Sequence, residues 1–274
     1  MSNKQKNTMK KAILLCSCLL LMAGKMAMAQ ETSSQRQWHY NAYVEIGPVF
    51  HSYHSPNLDH FRPMGGYGSS IYVGSRSSNW QATARYEFVT PNYHWAFRTG
   101  LQYTYRWKQI GYDALGDKIT TLDEIPNHYL FEIGNDDTHL EYLRIRGIEQ
   151  ATHYLGIPLE IRYYFNSNLP SFRMYVMAEA DLDYMVGNKN TVNFLNPDMA
   201  PYSDQILAFY DDPDPFNVSS YFGGGFQVGN RSGIGVGFNW MIHVYGFHET
   251  TGLINDLKAF AGHKMQIELF IPIK

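Results

Sequence analysis

The chain of 274 residues has only two cysteines, Cys16 and Cys18, and both fall within its first 29 residues. A mature chain cut after Ala29 would contain none, so disulfides could not hold it together and a hydrogen-bonded framework would have to. Charge is scarce as well: 17% of residues are charged, against roughly a quarter in an average soluble domain. The 22 basic and 25 acidic residues leave a net charge of -3, which gives no electrostatic reason to expect a nucleic-acid partner. Beyond residue 29 no apolar run approaches the ~18 residues of a membrane helix, so a mature chain in a membrane would have to cross it with strands. Phosphate loop, nucleophile elbow and dinucleotide fingerprint are all missing. Aromatics are abundant instead, with 16 Phe, 21 Tyr and 5 Trp nearly matching the charged residues in number.

The amino-terminal segment has the features of an export signal. Lys4, Lys6, Lys10 and Lys11 precede an apolar run from Ala12 to Ala23, and Ala27-Met28-Ala29 supplies the small-x-small cleavage pattern. The expected organisation is a signal peptide at 1–29, a periplasmic lead-in at 30–37 and one domain at 38–274. A lipoprotein cut at Cys18 is the alternative, but it leaves only a handful of apolar residues upstream.

The domain reads as strands. Trp95, Phe97, Thr99, Leu101, Tyr103, Tyr105 and Trp107 alternate with Ala96, Arg98, Gly100, Gln102, Thr104, Arg106 and Lys108. A period of two sustained this long exceeds the ~5 to 6 residues of a typical globular strand. Similar alternation marks segments beginning near Trp38, Trp80, Leu155, Phe172, Val218, Ile234 and Met265, giving eight strands. The connections after strands two, four and six are short (90–94, 166–171, 230–233). Those after one, three, five and seven are long (51–78, 110–149, 188–216, 249–262). Short turns at one end and long loops at the other predict an all-β, eight-stranded, antiparallel up-and-down transmembrane barrel with periplasmic turns and extracellular loops. At ~3.3 Å per residue and a tilt of ~40°, Trp95 and Trp107 stand roughly 30 Å apart along the membrane normal. They are therefore expected, with Trp38 and Trp80, in the aromatic girdles. Trp240 falls mid-span and does not fit that pattern.

Alternation alone does not say which face points inward, and a lipocalin-like barrel would have the same period. Against a soluble calyx stand the strand lengths, the aromatics at both ends and a polar face with full charges of both signs. That face carries Arg85, Arg98, Arg106, Lys108, Arg162, Arg173 and Lys264 against Glu45, Glu87, Glu160, Glu179, Asp181, Asp183 and Glu268. The balance predicts a lumen crossed by ion pairs, since unpaired charges there would be costly to bury. The turn at Pro91–His94 sets Glu87 opposite Arg98. Gly223, Gly225, Gly235 and Gly237 are expected on the same inner face, beside Tyr221 and Tyr245. Eight strands enclose just enough room for their own side chains, so an open pore is not expected.

The segment Tyr154-Leu155-Gly156-Ile157-Pro158-Leu159-Glu160-Ile161-Arg162-Tyr163-Tyr164-Phe165 resembles the Y-L-x-I-P-L-x-x-x-Y-Y-F fourth strand of PorT-like outer-membrane β-barrel proteins of Bacteroidetes. Phe97 to Tyr103 resembles that family's third strand. The resemblance accommodates Pro158 inside a strand, which would otherwise count against that strand. It implies residence in the outer membrane, insertion by the barrel-assembly machinery and a non-enzymatic structural or accessory role. Such proteins include a member needed for protein secretion by the type IX system, so secretion-system proteins are implied partners, and no cofactor is. The end, Phe270-Ile271-Pro272-Ile273-Lys274, departs from the terminal aromatic of most barrels.

Other candidate chemistry is thinner. His51, His54 and His60 could bind zinc or copper, although loop histidines are more often simply solvated. Asp211, Asp212 and Asp214 could hold calcium, but Pro213 and Pro215 suggest a stiff turn and the spacing is not that of an EF-hand. His153, His248 and Glu249 fall near the expected outer rim, where some eight-stranded barrels carry lipid-modifying sites, yet no serine accompanies them. The second loop is long enough to form extracellular structure or a partner surface, which leaves an adhesin or a narrow solute channel as the alternatives.

Overall fold

The computed structural model describes residues 39–51, 61–62, 74–111, 129–133, 141–165, 171–210, 213–229, 234–246 and 262–272. The expected leader, the lead-in and Trp38 lie outside the described residues. Ten strands follow in chain order: β1 (His39–His51), β2 (Phe61–Arg62), β3 (Gly74–Val89), β4 (Trp95–Gly111), β5 (Tyr129–Ile133), β6 (Glu141–Tyr164), β7 (Phe172–Phe194), β8 (Phe216–Gly229), β9 (Gly235–Gly246) and β10 (Gly262–Pro272). All pairings are antiparallel. Eight strands close a ring in the order β6-β4-β3-β1-β10-β9-β8-β7, with β7 returning to β6. Closure joins the first and last of these strands, placing Glu45 opposite Glu268 and His51 opposite Gly262. It also removes the unpaired sheet edges that lipid could not satisfy.

The periodicity sorts side chains by face as β geometry demands. Along β4, Arg98, Gln102, Thr104 and Arg106 are buried, while Leu101 and Tyr103 are exposed at 60% and 40%. Val44, Ile46, Leu155, Ile157, Phe222, Val236, Ile242 and Ile267 are exposed in the same sense on other strands. An apolar surface that wraps the whole ring is what a lipid-facing wall requires and what a soluble monomer avoids. At the turn between β3 and β4, the Thr90 amide donates to the Trp95 carbonyl at 2.9 Å, and Tyr93 takes a positive φ of 60°. Glu87 and Arg98 are register partners. Pro158 is accommodated by a gap: the β4–β6 ladder passes from Thr99–Leu159 to Gln102–Gly156, omitting the residue that has no N–H to donate.

Three details differ from the sequence expectation. First, β6 and β7 are 24 and 23 residues long, so much of what reads as the second and third loops is strand. Second, β2 and β5 add to the outer part of β6 and lie outside the ring. Third, Tyr245 is exposed and Val218 buried, the reverse of their expected exposure. A register shift between Ser220 and Tyr221, which pair with Tyr245 and His243, leaves Val244 as an extra residue on β9 and turns Tyr245 outward. On β8 Phe216 stays exposed and Asn217 and Ser219 stay buried, so Val218 keeps its outer parity and is covered there.

Beyond the ring, amphipathicity inverts. The face of β4, β6 and β7 that carries charges inside the barrel carries Ile110, Leu143, Ile145, Ile148 and Val192 above it. These pack with Tyr129, Phe131 and Ile133 of β5 and with Ile206 of a short helix, α1 (Ser203–Leu207). The helix follows a 3-10 segment, Pro197–Tyr202, whose cap Asn196 accepts from the Asp198 amide. A sheet that leaves the membrane must hide its apolar residues from water, and it hides them on its inner side.

Candidate functional site

All fourteen predicted inner-face charges are buried, seven of each sign. Their arrangement follows from register. Glu45 stands directly across from Glu268 at the β1–β10 seam, and Glu160 directly across from Glu179 on β6–β7. Like charges in these positions repel. Each pair is bridged by an arginine from another strand. Arg85 on β3 places Nη1 2.7 Å from Glu160 and Nη2 2.9 Å from Glu179, with its Nε 2.8 Å from Glu45. Arg98 on β4 places Nη2 2.5 Å from Glu45 and Nη1 3.1 Å from Glu160 and 3.5 Å from Glu268. Arg162 donates to Glu160 through Nε and to Glu268 through Nη2 at 2.9 Å. Lys264 extends the network upward, with Nζ 2.6 Å from Glu179 and 3.1 Å from Asp181.

Neutral side chains complete it. Gln227 of β8 and Asn239 of β9 donate to Glu268 at 2.5 and 3.2 Å. With them, all eight ring strands contribute to one connected cluster. The guanidinium carbons of Arg98 and Arg162 lie 4.0 Å from the centres of the Tyr43 and Tyr175 rings, a further stabilisation of buried cations. Side chains of the ion-paired arginines and glutamates have no solvent exposure.

Glu87 does not turn toward its register partner Arg98. Its carboxylate instead accepts from Asn41, Tyr43 and Tyr164, each at 2.7 Å, in a layer nearer the turns. Arg106 lies in a layer nearer the loops, over the Tyr154 ring at 4.9 Å. Asp183 accepts from Gln102 at 3.1 Å. Two glycines are required by this packing: a Cβ on Gly237 would meet Glu268 Oε1 at 2.4 Å, and one on Gly156 would meet Asp183 Oδ1 at 1.9 Å. The neutral linkers Asn41, Tyr43, Tyr164, Gln227 and Asn239 carry no charge that would mark them in the sequence, and their inner parity on the strands is the signal that places them.

Of the girdle candidates, Trp80 is exposed, and Trp95 and Trp107 are half-buried at opposite ends of β4. Trp240 faces outward at mid-span, opposite Gly224. His54, His60, Asp211, Asp212, His248 and Glu249 lie outside the described residues, as does the side chain of His51. Asp214 is half-buried. His153 faces outward, its Nδ1 2.6 Å from the Tyr103 hydroxyl. Among the described residues no three His, Cys, Asp or Glu side chains are grouped to hold a metal ion, and no helix is long and apolar enough to cross a membrane.

A closed ring of alternating strands with an apolar exterior and an ion-paired interior defines a transmembrane β-barrel of the outer membrane. The model of the outer membrane protein beta-barrel domain matches residues 22–251, and the chain belongs to that family. Among solved structures it is similar to the outer membrane protein OprG from Pseudomonas aeruginosa, at 8% identity and a TM-score of 0.42 over 85% of this chain and 96% of that one. It is also similar to LpxR from Salmonella typhimurium, at 10% identity and a TM-score of 0.22 over 85% and 99%. No curated protein matches its sequence.

Proposed function

We propose that the protein is a plugged, non-conducting and non-enzymatic barrel with a structural or accessory role of the PorT-like kind, in which assistance to protein secretion is the leading process. The observation that carries this reading is the ion-paired cluster fed by all eight ring strands. Opening a path through it would separate several buried charges at once, at a cost of ~3 to 5 kcal/mol for each broken partner. The membrane-embedded part then serves as an anchor, and the segment built on β5, β6 and β7 outside it is what other molecules meet. That projecting segment also favours the second reading, a loop-based binding protein or adhesin. Secretion and surface-adhesion assays on a strain lacking the gene separate the two. The accessory reading expects exported proteins to accumulate in the periplasm, and the adhesin reading expects adhesion to fall while export continues. Planar-bilayer recording tests the plug, and unitary conductance steps would refute it.

A further inference from the structure

The seven basic residues of the lumen each face a carboxylate or an aromatic ring or lie buried among polar side chains. Those outside the lumen behave differently. Among the described residues with a described side chain, the basic residues outside the lumen are Arg76 on β3, Arg144 and Arg146 on β6 and Lys189 on β7. All lie toward the loop ends of the contiguous β3-β4-β6-β7 wall, and none lies on β1, β8, β9 or β10. Arg76, Arg144 and Lys189 are exposed, and among the described residues no acceptor engages their side chains.

Their height follows from register and strand tilt. Lys189 pairs with Ala151, which pairs with Trp107, and Trp107 pairs with Ser78, two residues from Arg76. Trp107 is 12 residues from Trp95 on the same strand, so Trp107 stands roughly 30 Å above the opposite membrane boundary, against an apolar band of about 25 Å. At a tilt of ~40° each strand step along the row moves ~3 Å along the normal, which keeps Ser78 and Lys189 within about 6 Å of that level. The row therefore runs obliquely through the zone of the outer-leaflet headgroups. Immediately below it are Tyr103, Tyr105 and His153, the amphipathic rings expected at such a boundary. Arg144 lies farther out along β6. Among the described residues two carboxylates lie near the patch: Glu149, which accepts from Gln109 at 3.0 Å, Asn193 at 2.7 Å and Trp107 at 3.4 Å, and Glu132 on β5, beside the Leu130–Arg144 pair and engaged in an interaction of its own. Lys189 and the Ser78–Arg76 end of β3 are three strand spacings apart, roughly 14 Å.

We propose that this wall binds a phosphorylated glycolipid of the outer leaflet, with Arg76 and Lys189 on its headgroup phosphates and Arg144 on the anionic sugars beyond. The site is on the outside of the barrel and does not depend on whether the lumen conducts. The test uses the full-length protein in phosphatidylcholine vesicles with and without diphosphorylated lipid A, and compares it with the triple variant Arg76→Gln, Arg144→Gln, Lys189→Gln. At about fivefold per cation, the triple variant should bind lipid A roughly a hundredfold more weakly, and the difference should shrink at high salt. Lys189→Arg should bind as the parent does, and unchanged heat-modifiable gel mobility of every variant shows that the barrel is intact. Equal binding of lipid A by parent and triple variant would overturn the proposal. So would equally tight binding of dephosphorylated lipid A by the parent.

Discussion

Replacing Arg85 with methionine removes the group that bridges Glu160 and Glu179 while keeping most of its volume. The central cluster, as connected through its ion pairs, holds the cations Arg85, Arg98, Arg162 and Lys264 and the carboxylates Glu45, Glu160, Glu179, Asp181 and Glu268. Without Arg85 three cations face five carboxylates, and Glu160 and Glu179 confront each other directly across β6 and β7. Arg98 and Arg162 still reach Glu160, and Lys264 still reaches Glu179, so the loss is that of one partner in a shared network. The expected cost is ~3 to 5 kcal/mol. The assay is equilibrium urea unfolding of the protein folded in phospholipid vesicles, followed by tryptophan fluorescence. The added change Glu179→Gln supplies the decisive comparison. It removes the carboxylate that Arg85→Met leaves facing Glu160, so the double variant should be more stable than the sum of the single effects predicts, by at least ~1.5 kcal/mol. Additive effects within ~0.5 kcal/mol would refute the bridging argument, because independent sites add and coupled ones do not.

Two further outcomes follow from the faces of the sheet. Leu101 is exposed toward lipid near the middle of β4, so Leu101→Arg should lower unfolding free energy in vesicles by ~2 to 4 kcal/mol, the midplane cost of arginine on a barrel wall. Phe131 is fully buried in the core above the ring. Phe131→Ala should cost ~3 to 5 kcal/mol locally, making the β5–β6 segment sensitive to protease on intact cells while the barrel keeps its heat-modifiable gel mobility.

Much of the barrel is legible in the sequence because its two solvents are so different. A wall with lipid outside and a crowded polar lumen inside writes a period of two at nearly every position. Trp95 to Lys108 can therefore be assigned to faces residue by residue. The same logic fails where the environment changes. Above the rim, water replaces lipid outside and an apolar core replaces the charged lumen, so Leu143, Ile145 and Ile148 continue a strand whose pattern has reversed phase. The reversal reads as a loop. A single inserted residue, Val244 on β9, likewise moves Tyr245 out, and no composition signal marks it.

Parity along each strand, and hence the common face of the fourteen charges, is a property of the sequence alone. Partner choice is not. Glu87 and Arg98 are neighbours in register, yet one is satisfied by Asn41, Tyr43 and Tyr164 and the other by Glu45 and Glu160. Side chains of this length cross the lumen as easily as they reach the next strand, so the closed ring decides which charges meet. Closure likewise puts Glu45 beside Glu268, residues from the first and last strands, and supplies through Arg98 the cation that makes that seam tenable.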